Sequence, residues 1–241
     1  MELFYTSSFN EDNCYLDREE SHHCIKVLRL REGGAIFVTN GKGDLFRAKI
    51  TKADSAGCEL GILEKHPQWK KRDYSVDIGI SPPKNASRFE NFIEKATEIG
   101  IDTITPLLCR HSERKTIKHA RLEKIITAAM KQSLKAYRPQ LMEMTKFTDA
   151  VKKKFDGQKF IATGAEQGET DLGSLYRAGE NAFILIGPEG GFSEEEVNVA
   201  ISNGYSPAAL GKYRLRTETA GIVSTHTVHL LNNCKQDNLQ L

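Results

Sequence analysis

The sequence lacks the features of membrane, secreted and metal-dependent proteins. Its 241 residues contain no run of eighteen apolar residues, and the start Met-Glu-Leu-Phe-Tyr does not have the basic-then-apolar order of a signal peptide. The five cysteines are widely spaced and never form Cys-x-x-Cys, and no carboxylate separates the nearby pair His226 and His229. We therefore expect a cytoplasmic protein with no membrane segment, no disulfide framework and no bound metal.

Two nucleotide-binding signatures are also missing. The Gly-x-x-x-x-Gly-Lys-Ser/Thr pattern of a phosphate-binding P-loop does not occur, and neither does the Gly-x-Gly-x-x-Gly pattern of a dinucleotide fold. Any nucleotide site in this chain is therefore expected to be neither a P-loop nor a dinucleotide-binding fold.

Charge is strongly segregated along a chain whose net charge is only +2. The stretch 110–159 contains 14 Lys and Arg against 5 Asp and Glu, whereas 160–199 contains 1 against 8. A polyanion would be attracted to the first stretch. Solvated helix surfaces are the ordinary explanation of such a run, so the charge pattern leaves both interpretations open.

A change of pattern near residue 72 indicates two domains. Residues 1–72 contain short alternating segments with glycine turns, including a predicted β-hairpin at 35–50 and a short helix at 22–30, which is typical of a small β-barrel. The polar stretch 64–73 is predicted to be a linker. From 73 to 241, apolar strands alternate with helices, which indicates an α/β domain with a mainly parallel sheet.

The α/β pattern predicts specific elements. Each strand is a short apolar run, and each helix has apolar residues at the spacing of one buried face. Strands are expected at 76–80, 104–108, 160–163, 183–186 and 208–210, and helices at 88–99, 120–135, 148–155, 193–202 and 217–231.

A glycine-rich loop joins the fourth of these strands to a helix. It reads Gly-Pro-Glu-Gly-Gly-Phe at 187–192, and Ser193 with Glu196 is expected to form a capping box at the helix start. Open parallel sheets bind ligands at the carboxyl ends of their strands, where glycine allows close backbone approach. The acidic first turn at 194–196 would repel a polyphosphate and tolerate a sulfonium cation. A purely structural turn is an equally ordinary interpretation.

A second loop of the same kind follows the last strand. It reads Gly-Lys-Tyr-Arg-Leu-Arg at 211–216 and leads into a helix. Two such loops would leave free backbone N–H and C=O groups at one sheet edge, which suits main-chain recognition of adenine. We expect Gly190 and Gly211 to be left-handed, so that alanine at either would weaken ligand binding. Arg214 and Arg216 would equally serve as surface arginines paired with carboxylates.

Together the loops resemble those of a known family. Ile-Gly-Pro-Glu-Gly-Gly-Phe-Ser-Glu-Glu-Glu at 186–196 and Leu-Gly-Lys-Tyr-Arg-Leu-Arg-Thr-Glu-Thr-Ala at 210–220 resemble the bacterial 16S ribosomal RNA uridine N3-methyltransferases of the SPOUT class. Glu-Lys-Ala-Thr-Glu-Ile-Gly at 94–100 is similar to the family's first helix, and the segment 23–30 is similar to part of its N-terminal barrel.

The resemblance implies a fold and an activity. The fold is α/β, with a SPOUT-type, trefoil-knotted, parallel-sheet methyltransferase domain at 73–241 preceded by a small PUA-like β-barrel RNA-binding domain at 1–72. The implied reaction is S-adenosylmethionine-dependent methylation of N3 of a uridine in 16S ribosomal RNA of the small ribosomal subunit, carried out by a homodimer. Four apolar positions of the last helix would supply the dimer interface or face the chain's own core: Ile222, Val223, Val228 and Leu231.

The resemblance also implies the cofactor residues. In the family three loops form the cofactor pocket. In this chain they contribute Thr163, Gly164, Ile186, Gly187, Glu189, Gly190, Leu210, Gly211, Leu215, Arg216, Thr217 and Ala220.

Catalysis and RNA binding give further candidates. The neutral uridine imide is a poor nucleophile, so a cation is needed to stabilise its anion and a carboxylate to accept its proton; Arg216 and Glu218 are the candidates. Base stacking is expected from Tyr137 or Phe192, with an ordinary buried aromatic as the alternative. Phosphate contacts are expected from Lys26, Arg29, Arg88, Arg110 and Arg114.

Three segments differ from the family pattern. Glu2 and Leu3 stand where the family often has an arginine, and 131–135 reads Lys-Gln-Ser-Leu-Lys instead of Glu-Gln-Ser-Gly-Arg. Tyr213-Arg214 replaces Arg-Ile in the last loop. These departures concern RNA contacts, whereas the cofactor loops are intact.

The sequence leaves two other functions open. A related SPOUT enzyme acting on another RNA position would have the same cofactor loops. A non-catalytic RNA-binding protein would keep the barrel and the basic stretch but bind no cofactor.

Overall fold

The chain divides into two compact units. The structure, a computed structural model, describes residues 2–10, 12–164 and 170–237, without the side chains of 235–237. One unit comprises Met1–Lys71 with Thr127–Arg138, and the other Arg72–Ile126 with Pro139–Leu241. The segment Thr127–Arg138 of the first unit lies outside the contiguous range 1–72 that the sequence predicts for the N-terminal domain. The two domain ranges, 1–72 and 73–241, stay a prediction.

The first unit is built on a six-stranded sheet. Its strands are β1 (Leu3–Tyr5), β2 (Ser8–Phe9), β3 (Asn13–Tyr15), β4 (Ala35–Thr39), β5 (Leu45–Lys52) and β6 (Glu59–His66). They lie in the order β1-β4-β5-β6-β3-β2, with β1 parallel to β4 and the other pairs antiparallel. Helix α1 (Arg18–His22) continues into a π-helical turn at His23–Val27, where one regular helix was expected.

Alternating side chains explain how this sheet forms a core. On β5, Ala48 and Ile50 are buried while Arg47 and Lys49 are exposed, the period of two that strand geometry imposes. The predicted hairpin is confirmed as β4 and β5. The predicted linker is wrong at its start, because β6 continues to His66 and pairs there with β5.

The segment Thr127–Arg138 joins this unit through specific contacts. The Thr39 hydroxyl donates to the Ala136 carbonyl oxygen at 3.1 Å. Gly43 has φ +104°, and a Cβ there would lie 2.3 Å from Cζ of Tyr137. Tyr137 is therefore packed against a turn that only glycine fits.

The second unit is built on a seven-stranded parallel sheet. Its strands are β7 (Val76–Ile80), β8 (Thr103–Leu108), β9 (Gln140–Leu141), β10 (Thr145–Lys146), β11 (Gln158–Ala162), β12 (Ala182–Ile186) and β13 (Ser206–Ala208). Their order is β10-β8-β7-β12-β11-β13, with β9 also paired to β8, and the pairs are parallel. The expected parallel α/β architecture is confirmed.

Helices connect these strands. They are α2 (Ala86–Ile99), α3 (His119–Gln132), α4 (Phe147–Ala150), α5 (Leu172–Leu175), α6 (Glu194–Ser202) and α7 (Thr217–Asp237). The central strand β12 is buried along its whole length, as expected for a sheet covered on both faces. Ile184 faces one apolar cluster with Phe92, whereas Phe183 and Leu185 face another.

Several predicted element bounds are wrong; helix α7, for example, runs to Asp237 rather than residue 231. Helix α3 ends at Gln132 rather than residue 135 because Leu134 is left-handed, at φ +55°. Helix α4 is only one turn long: it ends at Ala150, and the Lys153 N–H then closes a turn on the Ala150 carbonyl oxygen at 3.2 Å. Strand β13 ends at Ala208, because Ala209 pairs instead with Asp171 in an isolated bridge.

The described ranges contain neither a helix long and apolar enough to cross a membrane nor a cluster of three metal-binding side chains. His229 is buried in a hydrogen-bonded network, 2.7 Å from the Tyr74 hydroxyl and 3.1 Å from the Arg72 guanidinium. The five cysteines are free, and Cys234 is the exposed one.

Asp77, on β7, is a partly buried carboxylate inside the sheet. Burial raises the pKa of its carboxyl to about 6 from the ordinary 3.8, against the opposing effect of a hydrogen bond with Thr103. A carboxyl whose pKa is raised by folding destabilises the folded state once it ionises. This penalty is absent below pH 3.8, grows as the pH rises, and is complete above about pH 6.

We predict that Asp77→Asn raises the free energy of unfolding at pH 8 by about 1–3 kcal/mol, because the amide keeps the Thr103 contact without a charge. The gain should shrink when urea unfolding is repeated at pH 4.5. Asp156→Asn, at an exposed loop position of the same unit, is the matched control. An equal gain at both pH values would contradict the electrostatic explanation.

Candidate functional site

A cleft of about 770 Å³ lies at the carboxyl ends of β11, β12 and β13. Three loops line it, one after each strand, together with Arg88 on α2. The twelve residues predicted for the cofactor all line this cleft: Thr163, Gly164, Ile186, Gly187, Glu189, Gly190, Leu210, Gly211, Leu215, Arg216, Thr217 and Ala220. The structure therefore brings together residues from three separate parts of the sequence.

Hydrogen bonds between the loops give the cleft a defined shape. The Thr217 hydroxyl donates to the Gly187 carbonyl oxygen at 3.0 Å, which joins the start of α7 to the loop after β12. The Thr163 N–H donates to the Ala208 carbonyl oxygen at 3.1 Å, which aligns the ends of β11 and β13. The Ala220 N–H bonds the Arg216 carbonyl oxygen at 2.8 Å and closes the first turn of α7.

The glycines of the two loops behave differently. Gly211 has φ +103°, as expected, and a Cβ there would meet open space. The expectation is wrong for Gly190: the left-handed residue is Gly191, at φ +73°. The turn is closed by the Gly191 N–H bonding the Pro188 carbonyl oxygen at 2.8 Å, and this places the left-handed residue at its last position. Gly190 instead lies close to His111: a Cβ added to Gly190 would be 3.2 Å from the Cβ of His111.

The cleft has the chemistry of a site for a nucleoside-like group. The Thr163 hydroxyl is buried and has no hydrogen-bond partner among the described residues. Such a group costs about 1–3 kcal/mol unless a ligand bonds it. Ile186, Leu210 and Leu215 supply apolar walls beside the backbone groups of the glycine loops. Apolar walls with a few directed polar groups are typical of small-molecule sites.

The acidic first turn of α6 does not line the cleft, contrary to expectation. Glu195 binds the Arg110 guanidinium at 2.8 Å. Glu196 accepts from the backbone N–H groups of Arg110 and Ser193, and the Glu196 N–H donates to the Ser193 hydroxyl. The predicted capping box is confirmed. These carboxylates therefore stabilise the helix start and Arg110 rather than a cation in the cleft.

The two predicted catalytic residues have different environments. Arg216 is exposed and lines the cleft. The Glu218 side chain is only 10% exposed and does not line it; its carboxylate Oε1 lies 3.7 Å from Nε of Arg88. Arg88, predicted as a phosphate contact, is therefore the cleft-lining partner of Glu218. No sequence signal links these two, because 130 positions separate them.

The other predicted RNA contacts fall into two groups. Lys26 and Arg29 are exposed in the first unit, and Arg29 adopts a left-handed φ of +56°. In the second unit, Arg110 is paired with Glu195, and Arg114 donates to the carbonyl oxygens of Pro83 and Lys84.

Phe192, one of the two predicted stacking residues, is half-buried. Its ring centroid lies 5.3 Å from that of Phe147. Tyr137 packs against a glycine turn, which favours an ordinary packed aromatic there. Phe192 also lines the cleft, so its stacking role stays a prediction.

Comparison with known proteins identifies the family. The RNA methyltransferase domain family matches residues 70–229, and the RNA methyltransferase PUA domain family matches 16–63. The chain belongs to the RNA methyltransferase family. It is 30% identical to ribosomal RNA small subunit methyltransferase E of Mesomycoplasma hyopneumoniae, over 98% of this chain and 100% of that one.

Solved structures agree with this membership. The probable rRNA-methyltransferase of Porphyromonas gingivalis has a TM-score of 0.91 and 36% identity over 98% of this chain and 100% of that one. Ribosomal RNA small subunit methyltransferase E of Neisseria gonorrhoeae, bound to S-adenosylmethionine, has a TM-score of 0.86 and 25% identity over 96% and 98%. The expected SPOUT-type fold with a PUA-like domain and the expected class, an S-adenosylmethionine-dependent ribosomal RNA methyltransferase, are confirmed.

The left-handed glycine of the second loop gives a testable prediction. Gly211→Ala strains the loop by about 1–2 kcal/mol, and the free protein is expected to relax the loop away from its binding shape. We therefore predict that the dissociation constant for S-adenosylmethionine rises about tenfold, measured by calorimetry. Gly204→Ala, at φ +83° but outside the cleft, is the control with similar backbone strain. Equal affinities in both variants and the wild type would show that the loop does not bind the cofactor.

Proposed function

We propose that this protein methylates N3 of a uridine in 16S ribosomal RNA, with S-adenosylmethionine bound by the twelve cleft-lining residues named above. The observation that carries the proposal is the cleft itself. Two glycine loops surround it together with the buried Thr163 hydroxyl, which has no hydrogen-bond partner among the described residues. The S-adenosylmethionine bound to the Neisseria gonorrhoeae relative supports the same cofactor. The substrate is 16S ribosomal RNA, free or in the small subunit, as the relatives' name indicates.

Arg216 is proposed to stabilise the reacting uridine. Bound S-adenosylmethionine supplies an electrophilic methyl group. Uridine must lose its N3 proton to become a good nucleophile, and the negative charge then spreads to its carbonyl oxygens. The exposed guanidinium of Arg216 lies at the start of α7 and lines the cleft, where a cation would favour that anion.

Glu218 is proposed as the proton acceptor. Its carboxylate is nearly buried and has Arg88 at 3.7 Å as its ion-pair partner. Glu218 does not line the cleft, and a guanidinium does not relay protons, so in this proposal a water molecule beside Arg88 carries the N3 proton to the carboxylate. Arg88 is thus proposed both to hold Glu218 and to contact RNA, while Lys26, Arg29, Arg110 and Arg114 contact phosphates.

The proposal includes an assembly, a knot and a location. A homodimer follows from the family resemblance; of the four apolar positions considered for it, Val228 is fully buried and Ile222 and Leu231 pack against the core of the chain. Ile222, Val223 and Leu231 are only partly buried and stay the candidate interface positions. Light scattering after gel filtration tests the assembly. A trefoil knot in the C-terminal part is proposed from the family resemblance alone. A cytoplasmic location is proposed because the RNA substrate is found there.

The activity is tested by transfer of labelled methyl groups from S-adenosylmethionine to small-subunit RNA that lacks N3-methyluridine. Nucleoside analysis should find the label in N3-methyluridine. Label in another nucleoside would support an enzyme acting on a different position. Absence of cofactor binding would support the non-catalytic RNA-binding alternative.

The role of Glu218 is tested by its pH dependence. Glu218→Gln should lower kcat by about 100-fold or more, because the general base is lost. The deficit should shrink as the pH rises, since hydroxide then removes the N3 proton. Glu94→Gln, at a half-exposed carboxylate paired with Lys95 on α2, is the control. If Glu218 only holds Arg88, then Arg88→Gln will cause the same loss, the double variant will add nothing, and no recovery with pH will occur.

A further inference from the structure

Tyr213 is the most exposed large apolar side chain of the described residues. It is 86% exposed, whereas the next, Val27, is 58% exposed. It lies on the loop between β13 and α7 and lines the cleft. An aromatic ring in water at the mouth of a binding cleft is unusual, because burying such a ring contributes strongly to folding.

The loop does not need Tyr213 for its own structure. Gly211 turns the chain at φ +103°, and Leu215 packs against the core of the unit. Between them, the Arg214 guanidinium donates to the Glu189 carbonyl oxygen at 3.3 Å. The loop is therefore anchored on both sides of Tyr213, while the ring itself faces solvent.

The rim around this ring is positively charged. Lys212 and Arg214 flank it in the sequence, and both are exposed cleft-lining residues. Arg216 follows on the same loop, and Arg88 lines the cleft from α2. An exposed aromatic ring flanked by cations is the arrangement with which proteins hold single-stranded nucleic acid: the ring stacks on a base and the cations contact phosphates.

We propose that Tyr213 is a stacking platform for an unpaired RNA base adjoining the target uridine, with Lys212 contacting the neighbouring phosphate. This inference rests on the proposed function and deepens it. Stacking on a flanking base would orient the strand so that the uridine enters the cleft.

The test compares Tyr213→Ala and Tyr213→Phe, with Ile201→Ala as the control. Ile201 is 46% exposed on α6 and does not line the cleft. Loss of a stacked base should raise the KM for unmethylated small-subunit RNA about 5- to 100-fold in Tyr213→Ala. Tyr213→Phe should stay within about twofold of the wild type, because the ring is retained. The affinity for S-adenosylmethionine and the oligomeric state should not change in any variant.

The affinity for the same RNA, measured by filter binding, tests the stacking platform independently of methyl transfer. If the wild type transfers no methyl group, the proposed function fails, yet weaker RNA binding by Tyr213→Ala alone would still support the platform. Lys212→Gln should also reduce the slope of log affinity against log salt by about 1. Unchanged RNA affinity in Tyr213→Ala overturns the proposal. Weaker binding of S-adenosylmethionine by Tyr213→Ala would also overturn it, because Tyr213 would then cover the cofactor. Loss of the dimer in this variant would overturn it as well, because Tyr213 would then be an interface residue.

Discussion

The hydrogen bond from the Thr217 hydroxyl to the Gly187 carbonyl oxygen joins two loops that are 30 residues apart in the sequence. Gly187 directly follows β12, and Thr217 stands at the end of the loop that follows β13. The parallel sheet brings both loops to the same edge, and the bond joins them there. It also fixes where α7 begins. With that start fixed, Arg216 lies at the cleft and Glu218, two residues later, lies in the interior. The two charged residues therefore lie on either side of Thr217 in the sequence, Arg216 at the ligand space and Glu218 in the interior.

The interior position of Glu218 has an electrostatic consequence. A nearly buried carboxylate is destabilising unless a cation or several donors compensate for its lost hydration. Arg88 provides that compensation from α2, the helix against which α7 packs. The packing is close, since a Cβ on Gly221 would lie 2.5 Å from the Phe92 ring. The close approach of these helices therefore brings a guanidinium to the cleft and holds it there by a carboxylate that solvent hardly reaches.

Local sequence rules predicted much of this arrangement but not its long-range contacts. The parallel strands, the capping box of Ser193 and Glu196, and the left-handed Gly211 follow from apolar runs, side-chain hydrogen bonding and the absence of a Cβ, and each is found. The left-handed residue of the first loop was expected at Gly190 and is found at Gly191. Either of two adjacent glycines can adopt this conformation, so the sequence does not tell which one the turn requires. The grouping of Thr127–Arg138 with the first unit depends on contacts such as Thr39 with Ala136, which no periodicity encodes.

The loop between β13 and α7 shows why a binding pocket and its rim can follow different rules. Its ends are restrained: Gly211 by its φ, Leu215 by packing, and Thr217 by its bond to the neighbouring loop. The side chains of Lys212 and Tyr213 point away from these restraints into solvent. Substitutions there cost the fold little, as is general for exposed positions away from special backbone geometry. The rim can therefore carry residues suited to a particular RNA while the backbone that surrounds the cofactor keeps one shape.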